Sequence, residues 1–287
     1  MDEEGYVNLL RKILEEGSEK EDRTGVGTLS LFGAQLRFNL EDQFPLLTTK
    51  KMFTKGIIHE LLWFIRGSTD SKILEQEKVN IWKANTTREF LDKRGLADYE
   101  VGDLGPMYGF QWRHFNASYK GCDKNYSGQG VDQLTRVVNE IKSNPDSRRL
   151  LMTTFNPESL DQSCLMPCHG IAVQFYVNKG ELSCHMYQRS VDYCCGLPYN
   201  ITSYSLLTYM IAQVTGLKPK ELIISMGDTH IYKSHIENAR IQADRIPMQF
   251  PTLTLNSTKK GIEDFEFTDF EIKDYDCHPA LKYEMAV

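Results

Sequence analysis

A cysteine flanked by proline and histidine, Pro167-Cys168-His169, is followed twenty residues on by the polar run Gln188-Arg189-Ser190 and then by Gly196-Leu197-Pro198-Tyr199-Asn200. These residue types suit an attacking thiol, an anion clamp and an amide that reads the hydrogen-bonding edge of a planar ligand. A thiol attacks as its thiolate, which at neutral pH needs partial exposure and a nearby cation. An arginine on a neighbouring strand supplies that charge and, through its planar fork, also suits a phosphate. Ser147-Arg148-Arg149 follows the helix-breaking run Asn144-Pro145-Asp146. Two arginines on a short connection are ordinarily a solvated corner and gain meaning only with an anion in reach.

Composition narrows the classes open to such a site. With 287 residues, 41% hydrophobic and 25% charged, the chain is long enough to bury a sizeable core. Its net charge of -6 argues against a general nucleic-acid surface, although a local arginine cluster can still hold one small anion. The acidic start Met1-Asp2-Glu3-Glu4 is unlike a targeting leader, and no apolar run approaches the ~20 residues of a membrane span, so a cytoplasmic address is expected. Seven cysteines, at 122, 164, 168, 184, 194, 195 and 277, are an odd number without repeating spacing, which argues against a disulfide framework. Cys164, Cys168, His169 and Cys194-Cys195 raise the question of zinc, but no Cys-x2-Cys pair closes a tetrahedral site and no metal is expected. Cys122, Cys184 and Cys277 read as small buried hydrophobes.

The elements that must position these groups alternate between helix and sheet. Leu9, Leu10, Ile13 and Leu14 lie at helical spacing before Gly17, and Thr28 to Phe38 reads as a strand around Gly33. Ile57, Ile58, Leu61, Leu62 and Ile65 share a helical face that stops near Gly67. Glu60 borders that face, where desolvation would raise its pKa toward the range of general acid-base work; otherwise it is a carboxylate at the solvent edge of an amphipathic helix. Ile81 to Gln133 is rich in loop-forming residues and aromatics, as functional or lid-like loops are. Val131, Leu134, Val138 and Ile141 outline a helix, Leu150 to Phe155 an apolar strand. Ile171 to Val177 and Glu181 to Arg189 form a hairpin about Asn178-Lys179-Gly180, with Leu182, Cys184, Met186 and Gln188 on one face. Ile201 to Val214 is apolar nearly all round and reads as a buried helix closed by Gly216. Asn200 just ahead of it is a good helix cap and also a candidate ligand reader. His230 and Tyr232 share a face if the backbone beyond Gly227-Asp228 is extended.

Long motifs in order now carry a resemblance: Asp22-Arg23-Thr24-Gly25, Phe44-Pro45-Leu46-Leu47-Thr48-Thr49-Lys50, Glu60-Leu61-Leu62-Trp63-Phe64, Gly102-Asp103-Leu104-Gly105-Pro106, Tyr108-Gly109-Phe110-Gln111-Trp112-Arg113, Pro167-Cys168-His169 and Gln188-Arg189-Ser190. The chain resembles the thymidylate synthase family over nearly its whole length. That resemblance implies one catalytic domain over 1–287, an α+β fold with a large mixed β-sheet and flanking helices, and sheets packed back to back in a homodimer. It implies a methyltransferase that converts dUMP to dTMP, with 5,10-methylenetetrahydrofolate giving the one-carbon unit and a hydride and leaving as dihydrofolate. By matched position Cys168 is the nucleophile for C6 of uracil. Arg23, Arg189 and Ser190 hold the phosphate, and Arg148 and Arg149 reach it from the partner subunit. Gln188 orders the ring, Asn200 reads the uracil edge, and His230 and Tyr232 bind the 3′-hydroxyl. Glu60, Asn85, Tyr108 and His169 organise proton transfers. Trp82, Asn85, Asp192, Gly196, Tyr199 and the C-terminal tail with Ala286 face the folate, and in relatives the tail folds over bound ligands.

Some positions depart from the family's pattern. Tyr199 stands where relatives commonly have Phe, Cys195 where they have an aliphatic residue, Met166 where proline is common, and Val191 where small residues are usual. The first two bear on antifolate affinity; none removes a reacting group. A sister activity, hydroxymethylation of dCMP, goes with aspartate where this chain has Asn200. A silent paralogue kept as a binding dimer would have lost Cys168 or an arginine, and all are present.

Overall fold

The computed structural model describes residues 2–284, so Ala286 lies outside the described residues. Helix α1 (Asp2–Glu16) turns Tyr6, Val7, Leu10 and Ile13 inward and gives way at Gly17. Strand β1 (Ser18–Lys20) pairs antiparallel with β2 (Thr28–Asn39). Helix α2 (Thr54–Ile65) buries the five aliphatic side chains of its apolar stripe, each contributing about 1.5–3 kcal/mol of transfer free energy. Gly67, at φ 68°, ends it as expected.

The block expected as loops from Ile81 to Gln133 is instead broken by short helices. After α3 (Ser71–Gln76) come a 3-10 turn at Lys83–Thr86, α4 (Arg88–Lys93) and α5 (Gly109–His114). Caps explain two of these: the Asp70 side chain accepts the Lys72 N–H and Thr87 accepts that of Phe90. Helix α6 (Gln133–Ser143) starts after Val131, which pairs back with Phe115 and is exposed. Asp132 is the cap. The strand expected from Leu150 to Phe155 shrinks to β3 (Leu151–Met152), because the N–H of Thr153 turns to the side chain of Gln133 and that of Phe155 to the hydroxyl of Thr153.

Strands β4 (Ala172–Asn178) and β5 (Glu181–Asp192) form the expected hairpin, with Leu182, Cys184, Met186 and Gln188 all buried. Helix α7 (Gly196–Thr215) crosses from β5 to β6 (Lys218–Tyr232), and that crossover makes β5 and β6 the parallel pair of the sheet. The order is β1-β2-β6-β5-β4-β3, an α+β architecture with a large mixed sheet. Helix α8 (Ile236–Ala243) packs on α1, and β7 (Thr252–Leu255) pairs with β8 (Phe270–Lys273). The other face of the sheet carries the exposed Tyr176 and Tyr187 beside His185, uncovered by this chain.

Helix α7 begins five residues earlier than its apolar run suggests, and this corrects one assignment. Asn200 lies inside the helix and is no cap; Cys195 occupies the cap position without a side-chain hydrogen bond. Pro198 misled that boundary, since proline is well tolerated in a first turn. Cys184 is buried as expected, whereas Cys122 and Cys277 are only partly covered.

Candidate active site

Cys168 stands in the loop before β4, held by the strand that follows. The Arg189 Nε–H donates to the Pro167 carbonyl at 2.8 Å, its Nη2 to that of Met166 at 3.0 Å, and the Arg189 backbone N–H to that of Cys168 at 2.9 Å. The Cys168 N–H in turn donates to the Tyr108 hydroxyl at 3.1 Å. With its oxygen accepting there, Tyr108 is free to give its own proton toward Cys168 Sγ, 3.4 Å away. Burial pushes the thiol up, while Tyr108 and the Arg189 guanidinium pull it back without cancelling that effect. The thiol of this chain therefore sits above its ordinary value, with burial the largest cause and the nearby Arg189 charge opposing it.

Tyr108 is fixed by its surroundings. It precedes α5 at φ 45° and ψ −106°, and Gly109 beside it lets that turn approach α2: a Cβ there would meet the Phe64 carbonyl oxygen at 2.4 Å. The Tyr108 ring stacks on His169 at 4.3 Å. Burial lowers the His169 pKa to about 3, so the imidazole is neutral at working pH, with Nδ1 3.0 Å from the Tyr204 hydroxyl. Tyr204 was not singled out in the sequence, where its hydroxyl is one of several on α7 beside Thr202, Ser203, Ser205 and Thr208.

Glu60 comes to the same cluster from α2. Trp82 Nε1–H donates to its carboxylate at 2.8 Å, and the Trp82 ring lies 5.8 Å from that of Tyr108. Burial raises Glu60 to about 7, with the Trp82 hydrogen bond opposing it. The carboxylate thus titrates where a proton carrier works best. Asn85 follows on the 3-10 turn after Trp82; it is buried and its Oδ1 has no hydrogen-bond partner among the described residues. A buried carbonyl oxygen left unmatched is unfavourable and fits a donor brought by a ligand.

Two side chains and one backbone carbonyl near the crossover form a directed chain. Gln188 Nε2 donates to the Ser190 carbonyl at 3.3 Å, and Asn200 Nδ2 donates to Gln188 Oε1 at 3.1 Å. A carbonyl only accepts, so it orients the Gln188 amide, which orients that of Asn200. His230 and Tyr232 are extended at the end of β6 on one side, their rings 5.2 Å apart, and His230 Nδ1 lies 3.1 Å from Asp228. Asp192 ends β5 and accepts the Cys195 N–H at 3.0 Å just ahead of Gly196, the first residue of α7. Tyr199 is half-buried, its phenol pushed up to about 12 by burial and then by Cys195 and Glu60 nearby.

The arginines divide. Arg189 is central, whereas Arg23 is exposed on the β1–β2 loop and Arg148 and Arg149 are exposed before edge strand β3, at the opposite side of the sheet. The last two guanidinium groups make no hydrogen bond or ion pair among the described residues. A polar recess of about 220 Å³ between Arg66, His114 and Lys124 shares no residue with the cluster. Among the described residues no three metal-ligating side chains converge, and no helix is long and apolar enough to cross a membrane.

Comparison with known proteins agrees with this geometry. A profile described as thymidylate synthase matches residues 4–287. The human thymidylate synthase is 54% identical over 282 residues, covering 98% of this chain and 90% of its own length. The thymidylate synthase of Saccharomyces cerevisiae is 52% identical over 297 residues, covering 100% of this chain and 97% of its own. The bifunctional dihydrofolate reductase-thymidylate synthase of Leishmania major is 53% identical, with this chain spanning 55% of it. A thiol held between Tyr108 and Arg189, a neutral histidine, a carboxyl near 7 and a pinned amide thus occur in a chain matched from end to end by one profile: the chain belongs to the thymidylate synthase family.

Proposed function

We propose that Cys168 adds to C6 of the uracil ring of dUMP, opening the reductive methylation to dTMP that this family carries out, within a single catalytic unit over 1–287 in the cytoplasm. The observation that carries this reading is the position of Cys168 Sγ, 3.4 Å from the Tyr108 hydroxyl on a loop held by Arg189. Addition makes C5 an enolate-like nucleophile. Asn85, with its unmatched oxygen, and Asp192, Trp82, Gly196 and Tyr199 would hold the folate, methylenetetrahydrofolate supplying the one-carbon unit and a hydride when bound. Tyr108 and the neutral His169 orient water around the ring, and Glu60 takes and returns protons. Ser190 and the Arg189 Nη1, which makes no protein hydrogen bond among the described residues, face the phosphate together with Arg23. His230 and Tyr232 meet the 3′-hydroxyl. Dihydrofolate formation from dUMP and methylenetetrahydrofolate, followed by absorbance and compared with dCMP, tests the reading; faster use of dCMP would overturn it.

The directed amides support the choice of base. Uracil offers an N3–H donor and an O4 acceptor, and cytosine the opposite at both atoms. With Nδ2 turned to Gln188, Asn200 cannot flip freely, so cytosine leaves buried polar groups unmatched at about 1–3 kcal/mol each. Asn200→Asp is expected to move the dUMP-to-dCMP ratio of kcat/KM toward dCMP by roughly 10- to 100-fold. An unchanged ratio in steady-state assays of both nucleotides would remove Asn200 from base recognition.

Arg148 and Arg149 belong to the site of a second copy, a reading supported by their exposure without partners at the edge opposite Arg23 and by the uncovered sheet face. An inactive Cys168→Ser chain mixed with an inactive Arg149→Ala chain is expected to recover activity, since one site of each mixed dimer is whole. With half the dimers mixed and one of two sites complete in each, recovery approaches roughly a quarter of wild type. Absence of recovery after subunit exchange, followed by mass spectrometry of the intact dimers, would count against a shared site.

A further inference from the structure

His235, between β6 and α8, has no role in the reading above, yet it is buried and touches both the folate side and the end of the described chain. Its Nε2 lies 2.7 Å from the Glu284 carbonyl, and since a carbonyl only accepts, that nitrogen carries the proton. Its Nδ1 is buried without a hydrogen bond among the described residues and lies 3.8 Å from Asp192 Oδ1, too long for a hydrogen bond but within ion-pair reach. Residues 282–284 are otherwise held by Asn238 Nδ2–H on the Lys282 carbonyl at 2.8 Å and by the Tyr283 hydroxyl on Gln242 at 2.7 Å. The Lys50 ammonium sits 4.5 Å from the centre of the Tyr283 ring. The segment therefore has several anchors, and two of them reach Asp192: His235, through its ring, and Cys195, whose Sγ lies 3.8 Å from the Tyr283 carbonyl while its N–H donates to Asp192.

We propose that His235 is a positioning residue that couples docking of residues 282–284 to Asp192, so that one imidazole governs both that segment and the folate side of the site. With its Nε2–H committed to the Glu284 carbonyl, the ring presents Nδ1 to the partly buried Asp192 carboxylate. Tyr232 from β6 and Tyr283 from the segment pack edge-on against the imidazole and fix its plane between the two contacts.

The coupling rests on Asp192 facing the folate, as proposed above; the hold on Glu284 rests on geometry alone, and the two separate experimentally. His235→Ala is expected to raise KM for methylenetetrahydrofolate roughly 3- to 10-fold with KM for dUMP unchanged, the range of one lost hydrogen bond. It is also expected to speed release of Tyr283 as the free amino acid by carboxypeptidase Y. His235→Gln, whose amide nitrogen reaches about as far as Nε2 but which presents no Nδ1 to Asp192, is expected to restore resistance to carboxypeptidase while leaving KM for methylenetetrahydrofolate raised. Asp192→Asn with unaltered folate KM would refute the folate assignment of Asp192 and with it the coupling, yet leave the hold on Glu284 standing. Unaltered carboxypeptidase sensitivity in His235→Ala would overturn that hold. A His235→Gln enzyme with the wild-type KM for methylenetetrahydrofolate would overturn the coupling to Asp192.

Discussion

Cys168→Ser is expected to bind dUMP as wild type does and to lose at least ~10³-fold in kcat, because a serine hydroxyl is a far weaker nucleophile at neutral pH and nothing else in the cluster replaces it. The wild-type chain, given 5-fluoro-dUMP and the folate, is expected to form a covalent adduct that the variant does not. Burial raises the Cys168 thiol, so adduct formation speeds up as pH rises toward its elevated pKa. Peptide mass spectrometry locates the bond. An adduct on Cys194 or Cys195 would remove Cys168 from the mechanism, and both competing thiols are themselves pushed up by burial, Cys195 to about 11 and Cys194 further.

Glu60→Gln is expected to reduce kcat by roughly 10²–10⁴-fold, the span of one general acid-base group, with little change in KM for dUMP. It also acts on stability, with a definite sign. Burial raises Glu60 from 4.5 to about 7, so the folded chain holds this proton more tightly than the unfolded one. The resulting stabilisation is full below about 4.5 and is lost as pH rises to about 7, above which wild type carries a desolvated charge. Relative to wild type, the glutamine variant is therefore expected to gain thermal stability across that window and to keep the gain above it. Parallel melts at pH 5 and pH 8 decide the matter: an equal Tm difference at both would show that Glu60 is ionised throughout and unfit to carry protons.

The helical stripes of α1 and α2 and the β4–β5 hairpin were legible because burial follows spacing there, and the site motifs were legible because their chemistry sits in contiguous runs. What escaped the sequence depends on contacts between distant residues. Asn200 read as a cap because the run after it is apolar, but the helix start is set by packing and Pro198 tolerates it. Arg189 was legible as charge beside a thiol; that two of its donors hold the carbonyls of Met166 and Pro167 was not, since no spacing rule connects them to it. The value near 7 at Glu60 was expected in direction; that Trp82 would be its donor was not. The back-to-back pairing and the arginines it would bring together are matters between two copies, which one chain's periodicity only hints at through its exposed tyrosines.

Tyr108 keeps a strained backbone in place through the side chain it carries. Its backbone, at φ 45° and ψ −106°, lies outside the regions open to residues with a Cβ, a departure worth of order 1–3 kcal/mol. Glycine would relieve that strain, but it would also empty the space of a buried ring packed on Phe64, Trp82 and His169, at about 3–5 kcal/mol. Directed evolution that rewards only survival at high temperature therefore keeps the tyrosine. A selection scored on product formation keeps it too, and both must find their stabilising changes elsewhere in the chain.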